Sequence, residues 1–263
     1  MDIGIGVLIL IIGILAGGYG TIVGAGGGFI FVPALLLIFQ MNPVLASSTG
    51  MVIVLINSLS GVIGYARQNQ IEYKIGLTIG ISALPGSILG VWFLHRYSSQ
   101  YFYVIFATIL VALGVFLFSK TLNRSPKIPP TLLEKEESDE SDGVGHPSFN
   151  WFIPLGITMG ILSSYLGIGG GWLLVPILIY VFKLSTHHAT ATSIFSLCLY
   201  SSVGVLSQFF YGSIDWVSVM WGGSGVIIGA QLGVILSQRI PGKIIIQMLS
   251  VLLVIIGVRL FFN

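Results

Sequence analysis

Apolar runs of about twenty residues recur along almost the whole chain, at 4–23, 46–65, 75–95, 101–119, 151–168, 188–210, 217–237 and 243–262. No other feature restricts the fold as much. A helix needs roughly 20 residues to cross about 30 Å of hydrocarbon, and within a bilayer only helices and closed barrels satisfy their own backbone groups. The runs are too long for barrel strands and lack strict alternation. The expected class is therefore an all-α polytopic membrane protein. Composition agrees, since 55% of the residues are hydrophobic and 8% are charged, far from the balance of soluble domains. The first run reads as a retained span rather than a cleavable leader, because Asp2 is the only early charge and no basic segment precedes it.

Charge divides the chain into a membrane repeat at 1–119, a charged linker at 120–150 and a second membrane repeat at 151–263. The linker gathers Lys120, Arg124, Lys127 and Lys135 with Glu134, Glu136, Glu137, Asp139, Glu140 and Asp142, and Pro126, Pro129, Pro130 and Pro147 interrupt any helix there. It has too little apolar surface to fold and reads as a hydrated tether. Elsewhere seven bases, Arg67, Lys74, Arg96, Lys183, Arg239, Lys243 and Arg259, stand against Asp2, Glu72 and Asp215. That surplus suits an anionic solute better than a cation. The single cysteine, Cys198, forbids an intrachain disulfide or a dithiol relay and reads as a packing residue.

The halves repeat one another without a gap at an offset of 143 residues. Gly24, Gly26, Gly27, Gly28 and Pro33 match Gly167, Gly169, Gly170, Gly171 and Pro176; further on, Thr49 matches Thr192, Ser58 matches Ser201, Gly86 matches Gly229 and Arg96 matches Arg239. Composition alone does not produce that register of glycine, proline and arginine.

Each glycine cluster follows a long apolar run and precedes an apolar segment of only about a dozen residues, 29–39 or 172–182, too short to span. This is the pattern of a broken or re-entrant helix, which membranes tolerate only where protein or a cavity covers the backbone. Such helices at matching positions of two halves mark transporter binding sites. Consecutive glycines let backbone N–H groups converge on an anion at the positive end of a half-helix. The candidate substrate-binding residues are thus Gly24, Gly26, Gly27, Gly28, Gly167, Gly169, Gly170 and Gly171. The competing reading is that these glycines only permit tight helix packing.

The two copies, "GAGGGFIFVP" at 24–33 and "GIGGGWLLVP" at 167–176, are followed by the hydroxyl-rich helix starts "ASSTG" and "ATATS". In these motifs the chain resembles the sulfite exporter TauE/SafE family over nearly its whole length outside the linker. The resemblance implies a permease for small sulfur-containing anions such as sulfite or organosulfonates, mostly outward, in the cell membrane. Its expected partners are that anion and the lipid bilayer; a homo-oligomer stays open, and neither a cofactor nor a nucleic acid is implied. The halves differ beside the motif, "NPVLASSTG" against "STHHATATS", so they need not contribute equally.

Other polar residues are weaker candidates. Ser48, Thr49, Thr192 and Ser193 either complete an oxyanion's shell or cap their helices, and Asn57 must find a partner in a neighbouring helix or the solute. His187 and His188 are adjacent, face different ways and read as interfacial rather than as metal ligands; Arg96 and Arg239 read as snorkelling side chains. An enzyme is not expected. "GGSG" at 222–225 has the form of an intramembrane serine protease motif with Ser224 as nucleophile, but no histidine follows it to act as base. An anion channel is the nearer alternative to a carrier.

Two topologies remain. Four crossings per half make parallel repeats. If each short segment returns to its starting side, each half has five arms and the repeats are inverted, which leaves only Arg96 and Arg259 opposite the linker's side. That second version satisfies the positive-inside rule better and is the expected one; both place the linker in the cytoplasm.

Overall fold

The computed structural model describes residues 3–96, 152–211 and 214–261, with Phe106, Thr108, Val111, Ala112 and Gly114 from the run between 101 and 119. Its regular elements are all helices: α1 (Ile3–Val23), α2 (Gly28–Leu37), α3 (Pro43–Arg67), α4 (Tyr73–Arg96), α5 (Phe152–Leu166), α6 (Gly171–Tyr180), α7 (Thr186–Tyr211), α8 (Trp216–Ser237) and α9 (Gly242–Phe261). Among the described residues α1, α3, α4, α7 and α8 are long and apolar enough to cross a membrane. The chain is a polytopic helical membrane protein. The expected linker at 120–150 and most of the 101–119 run lie outside the described residues.

The short arms are where the glycine clusters put them. α2 and α6 have 10 residues each, about 15 Å at 1.5 Å per residue, half of a span. The preceding helices stop at Val23 and Leu166 because Gly24 and Gly167 take φ of +75° and +68°, which a right-handed helix cannot continue through. The 151–168 run therefore ends two residues early. The 143-residue offset carries α2 onto α6, and the first residues of α3 and α4 onto those of α7 and α8.

Neighbouring residues fix the helix directions. Along α1 and α8, Gly6 faces Trp221, Gly13 faces Gly222, Gly17 faces Val226 and Gly18 faces Gly229, so the two run parallel. α3 also runs parallel to α8, with Thr49 beside Asp215, Ser60 beside Ile227 and Gly64 beside Val234. In contrast, Met51 meets Gly204 and Gly61 meets Ile194, which makes α3 and α7 antiparallel. Since α3 and α7 are equivalents, the halves are related by an approximate two-fold that reverses helix direction. The repeats are inverted, and the parallel four-crossing alternative falls. α2 runs back along α3, with Gly28 by Val54 and Val32 by Gly50, so each broken arm returns towards the side it came from.

The halves interlock through small residues. A Cβ on Gly86 would collide with the Ile157 carbonyl, and one on the equivalent Gly229 with the equivalent Ile14 carbonyl. Helices within lipid gain little from hydrophobic burial against one another, so backbone contact of this kind supplies the packing. Polar caps fix the outer ends. Asn42 Oδ1 accepts from Leu45 N–H at 2.8 Å ahead of Pro43, and Asp215 accepts from Val217 N–H at 3.2 Å and from the Ser218 hydroxyl at 2.6 Å.

Candidate functional site

The two breaks, 24–27 and 167–170, meet at the centre of the interlocked halves. All their residues are buried. A Cβ on Gly171 would collide with the Gly24 carbonyl oxygen, and one on Gly28 would lie 2.7 Å from the Gly167 carbonyl oxygen. The pairs are related by the offset, so each break is packed by the first residue of the other half's short arm. The rings of Phe29 and Trp172, also equivalents, lie 6.5 Å apart alongside.

The glycines divide by role. Gly24, Gly26, Gly167 and Gly169 carry φ between +68° and +81°, where a Cβ is strained whatever the space. Gly27 and Gly170 do not: their φ values are −65° and −89°. Gly28 and Gly171 are required by close approach. Turn conformation thus explains the first and second glycines of each cluster, and close packing explains the last.

Each half-helix start is met by a side chain that sequence reasoning placed only for the first half. The Gly170 N–H donates to the Tyr200 hydroxyl at 3.1 Å. At the equivalent position, Asn57 turns its amide oxygen to the Gly27 N–H at 3.2 Å and its nitrogen to the Gly17 carbonyl at 3.2 Å and the Thr21 hydroxyl at 3.1 Å. The Tyr65 hydroxyl donates to the Thr21 carbonyl at 2.9 Å. Asn57 was a candidate; Tyr200 was not, although the offset that pairs it with Asn57 was visible in the sequence.

The hydroxyl candidates disperse. The Ser193 hydroxyl donates to the Gly24 carbonyl at 2.9 Å, and that of Ser47 to the Tyr165 carbonyl at 2.8 Å. Ser48 is fully buried, and its hydroxyl has no partner. The Thr49 and Thr192 hydroxyls accept from the Asp215 and Glu72 N–H groups, each at 3.0 Å. These two equivalent bonds anchor the starts of α8 and α4 rather than capping the helices, α3 and α7, that carry the threonines. Trp172 Nε1 and Ser164 Oγ, both fully buried, also lack partners; leaving such a group unpaired costs about 1–3 kcal/mol.

Charge stays at the periphery. Among the described residues no Asp, Glu, Lys, Arg or His is buried. His188 Nδ1 is 3.3 Å from Glu72 Oε1, and both side chains are about half exposed. Arg96 and Arg239 are exposed at helix ends. Ser224 is exposed on α8 and donates to the Trp221 carbonyl at 2.9 Å, a backbone acceptor rather than a general base.

Known proteins match this arrangement in sequence. A sequence model of the sulfite exporter TauE/SafE family matches residues 9–260. The chain is 27% identical over 269 residues to "Probable membrane transporter protein YunE" of Bacillus subtilis (strain 168), covering 98% of this chain and 97% of that one. It is 27% identical over 270 residues to "Probable membrane transporter protein MJ0441" of Methanocaldococcus jannaschii, covering 95% and 93%. It is 24% identical over 267 residues to "Probable membrane transporter protein YjnA" of Bacillus subtilis (strain 168), covering 97% and 99%. No solved structure matches the chain significantly. Inverted repeats, two broken helices and a family match over nearly the full length make this chain a membrane transporter that belongs to the sulfite exporter TauE/SafE family.

Proposed function

We propose that the protein carries a small sulfur-containing oxyanion, such as sulfite or an organosulfonate, across the membrane by alternating access between its two halves. The observation that carries this reading is the meeting of two broken helices: the starts of α2 and α6 lie together at the centre, each beside the other half's break. Half-helix starts present positive dipole ends to a solute at mid-membrane. The residues around them supply neutral donors, and every charged side chain described lies outside the core. A binding point built from helix dipoles and neutral donors, with no buried carboxylate among the described residues, favours a small anion over a cation. The family supplies the sulfur chemistry. Gly24–Gly28 and Gly167–Gly171, with Ser48, Ser193 and Asn57 close by, form the transit point in this reading, while Thr49 and Thr192 serve the frame.

The linker side is cytoplasmic in this reading, because Arg67, Lys74, Lys183, Arg239 and Lys243 lie at that end and Arg96 and Arg259 at the other. Proteoliposomes loaded with a panel of anions test the function. Saturable, counterflow-stimulated movement of sulfite or an organosulfonate is expected. Movement that never saturates would favour a channel, and movement of none of these anions would overturn the reading.

A further inference from the structure

The two breaks are alike in backbone and unlike in how their polar groups are used. At the first, Thr21, Asn57 and Tyr65 bond to one another's groups and to Gly17 and Gly27, so that set closes on itself. The equivalents at the second break are Ser164, Tyr200 and Gln208. There Ser164 Oγ has no partner, although the residue is fully enclosed. Ser48, one residue from the Ser47 that packs against Gly167, is enclosed and open in the same way.

Trp172 is the decisive difference. It stands in the first turn of α6, fully buried, with its indole N–H unpartnered, where the first half has Phe29. A hydroxyl can turn to find an acceptor, but an indole N–H is a donor only and its direction is set by the ring. Buried donors are almost always paired in folded proteins, and each exception asks for a physical explanation. No carboxylate is buried among the described residues to serve as one. A ligand rich in acceptor oxygens would.

We propose that the second break, rather than the first, holds the transported oxyanion, and that Trp172 Nε1–H is its specificity-determining donor. Ser164 lies three residues before that break, Ser48 follows the Ser47 that packs on Gly167, and the Tyr200 hydroxyl accepts from the Gly170 N–H. The first break is a structural counterpart whose Gly27 N–H is spent on Asn57 and which has Phe29, without a donor, where the second has Trp172. This inference rests on the proposed oxyanion transport and assigns its site to one half.

The test measures sulfite and methanesulfonate binding by calorimetry on the full chain in lipid nanodiscs, with the melting temperature of each sample. Trp172→Phe keeps an aromatic ring that the first half already accommodates and removes the donor. Affinity should fall about tenfold, the scale of one hydrogen bond to a charged group, with the melting temperature shifted by no more than about 2 °C. Should that variant fold poorly, benzothienylalanine at position 172 removes the N–H and preserves the ring shape, and the same loss is expected. Unchanged affinity in a folded variant overturns the inference alone. A wild-type protein that binds neither anion overturns the transport reading and this inference with it.

Discussion

At the residue scale, neighbouring glycines of one cluster answer to different physical demands, and substitution separates them. Gly171 has the Gly24 carbonyl where its Cβ would go, so Gly171→Ala must push the two backbones apart at the centre of the molecule. Overpacking of this kind costs about 1–3 kcal/mol, and a clear fall in melting temperature is expected. Gly27→Ala meets only the Asn57 side chain, its Cβ at 3.4 Å, from a φ that alanine accepts. Its melting temperature should stay near wild type. Thermal unfolding of the two purified variants checks the contrast, and equal destabilisation would contradict the assigned roles. The repeat and the glycine clusters were legible in the sequence; which glycine turns the chain and which one packs was not, because that depends on what stands opposite.

At the scale of elements, α1 packs on α8 and α4 on α5 through glycine against carbonyl. Gly229→Val or Gly86→Val should separate these pairs to a similar degree, since the two sites are equivalents facing Ile14 and Ile157. Loss of folded, monodisperse protein in detergent is expected from each. The half-helices carry a second consequence. Each start is equivalent to at most roughly half a positive charge, so α2 and α6 together offset no more than about one negative unit, less what the C-terminal ends of α1 and α5 at the same breaks take back. A dianion would enter the dry core half uncompensated. Under the proposed function, methanesulfonate should compete with sulfite transport at least about tenfold better than sulfate does, a difference of about 1.4 kcal/mol. Equal competition would mean that charge is balanced by something other than the helix ends.

At the scale of the whole molecule, inversion makes a prediction that parallel repeats do not share. Gln40 and Lys183 are equivalents; both are exposed, with φ of +50° and +55°, in the links that follow the short arms. Inversion puts them at opposite ends. In a chain with Cys198 replaced, a cysteine at 40 should react with an impermeant thiol reagent in intact cells, and one at 183 only after lysis. Labelling of both from the same side would refute inversion. Opposite sidedness with the order reversed would retain inversion and overturn the cytoplasmic placement of the linker.

Length and polarity alone determined that this chain spans a membrane as helices, since only helices of that length bury their own backbone groups in lipid. Sequence alone also showed that the chain repeats and where each half breaks, because glycine and proline act locally on the backbone. Charge at the helix ends leaned towards inversion without deciding it. Antiparallel packing of α3 on α7 decided it. Only tertiary structure showed that the two breaks face each other, that the Thr49 and Thr192 hydroxyls accept from the backbone at the starts of α8 and α4, and that Tyr200 meets the second break while Trp172 keeps an unpaired donor. These facts depend on pairings between residues distant in the chain, many of them more than a hundred positions apart. Nothing in the local pattern of either half specifies how a side chain meets its counterpart across the approximate two-fold.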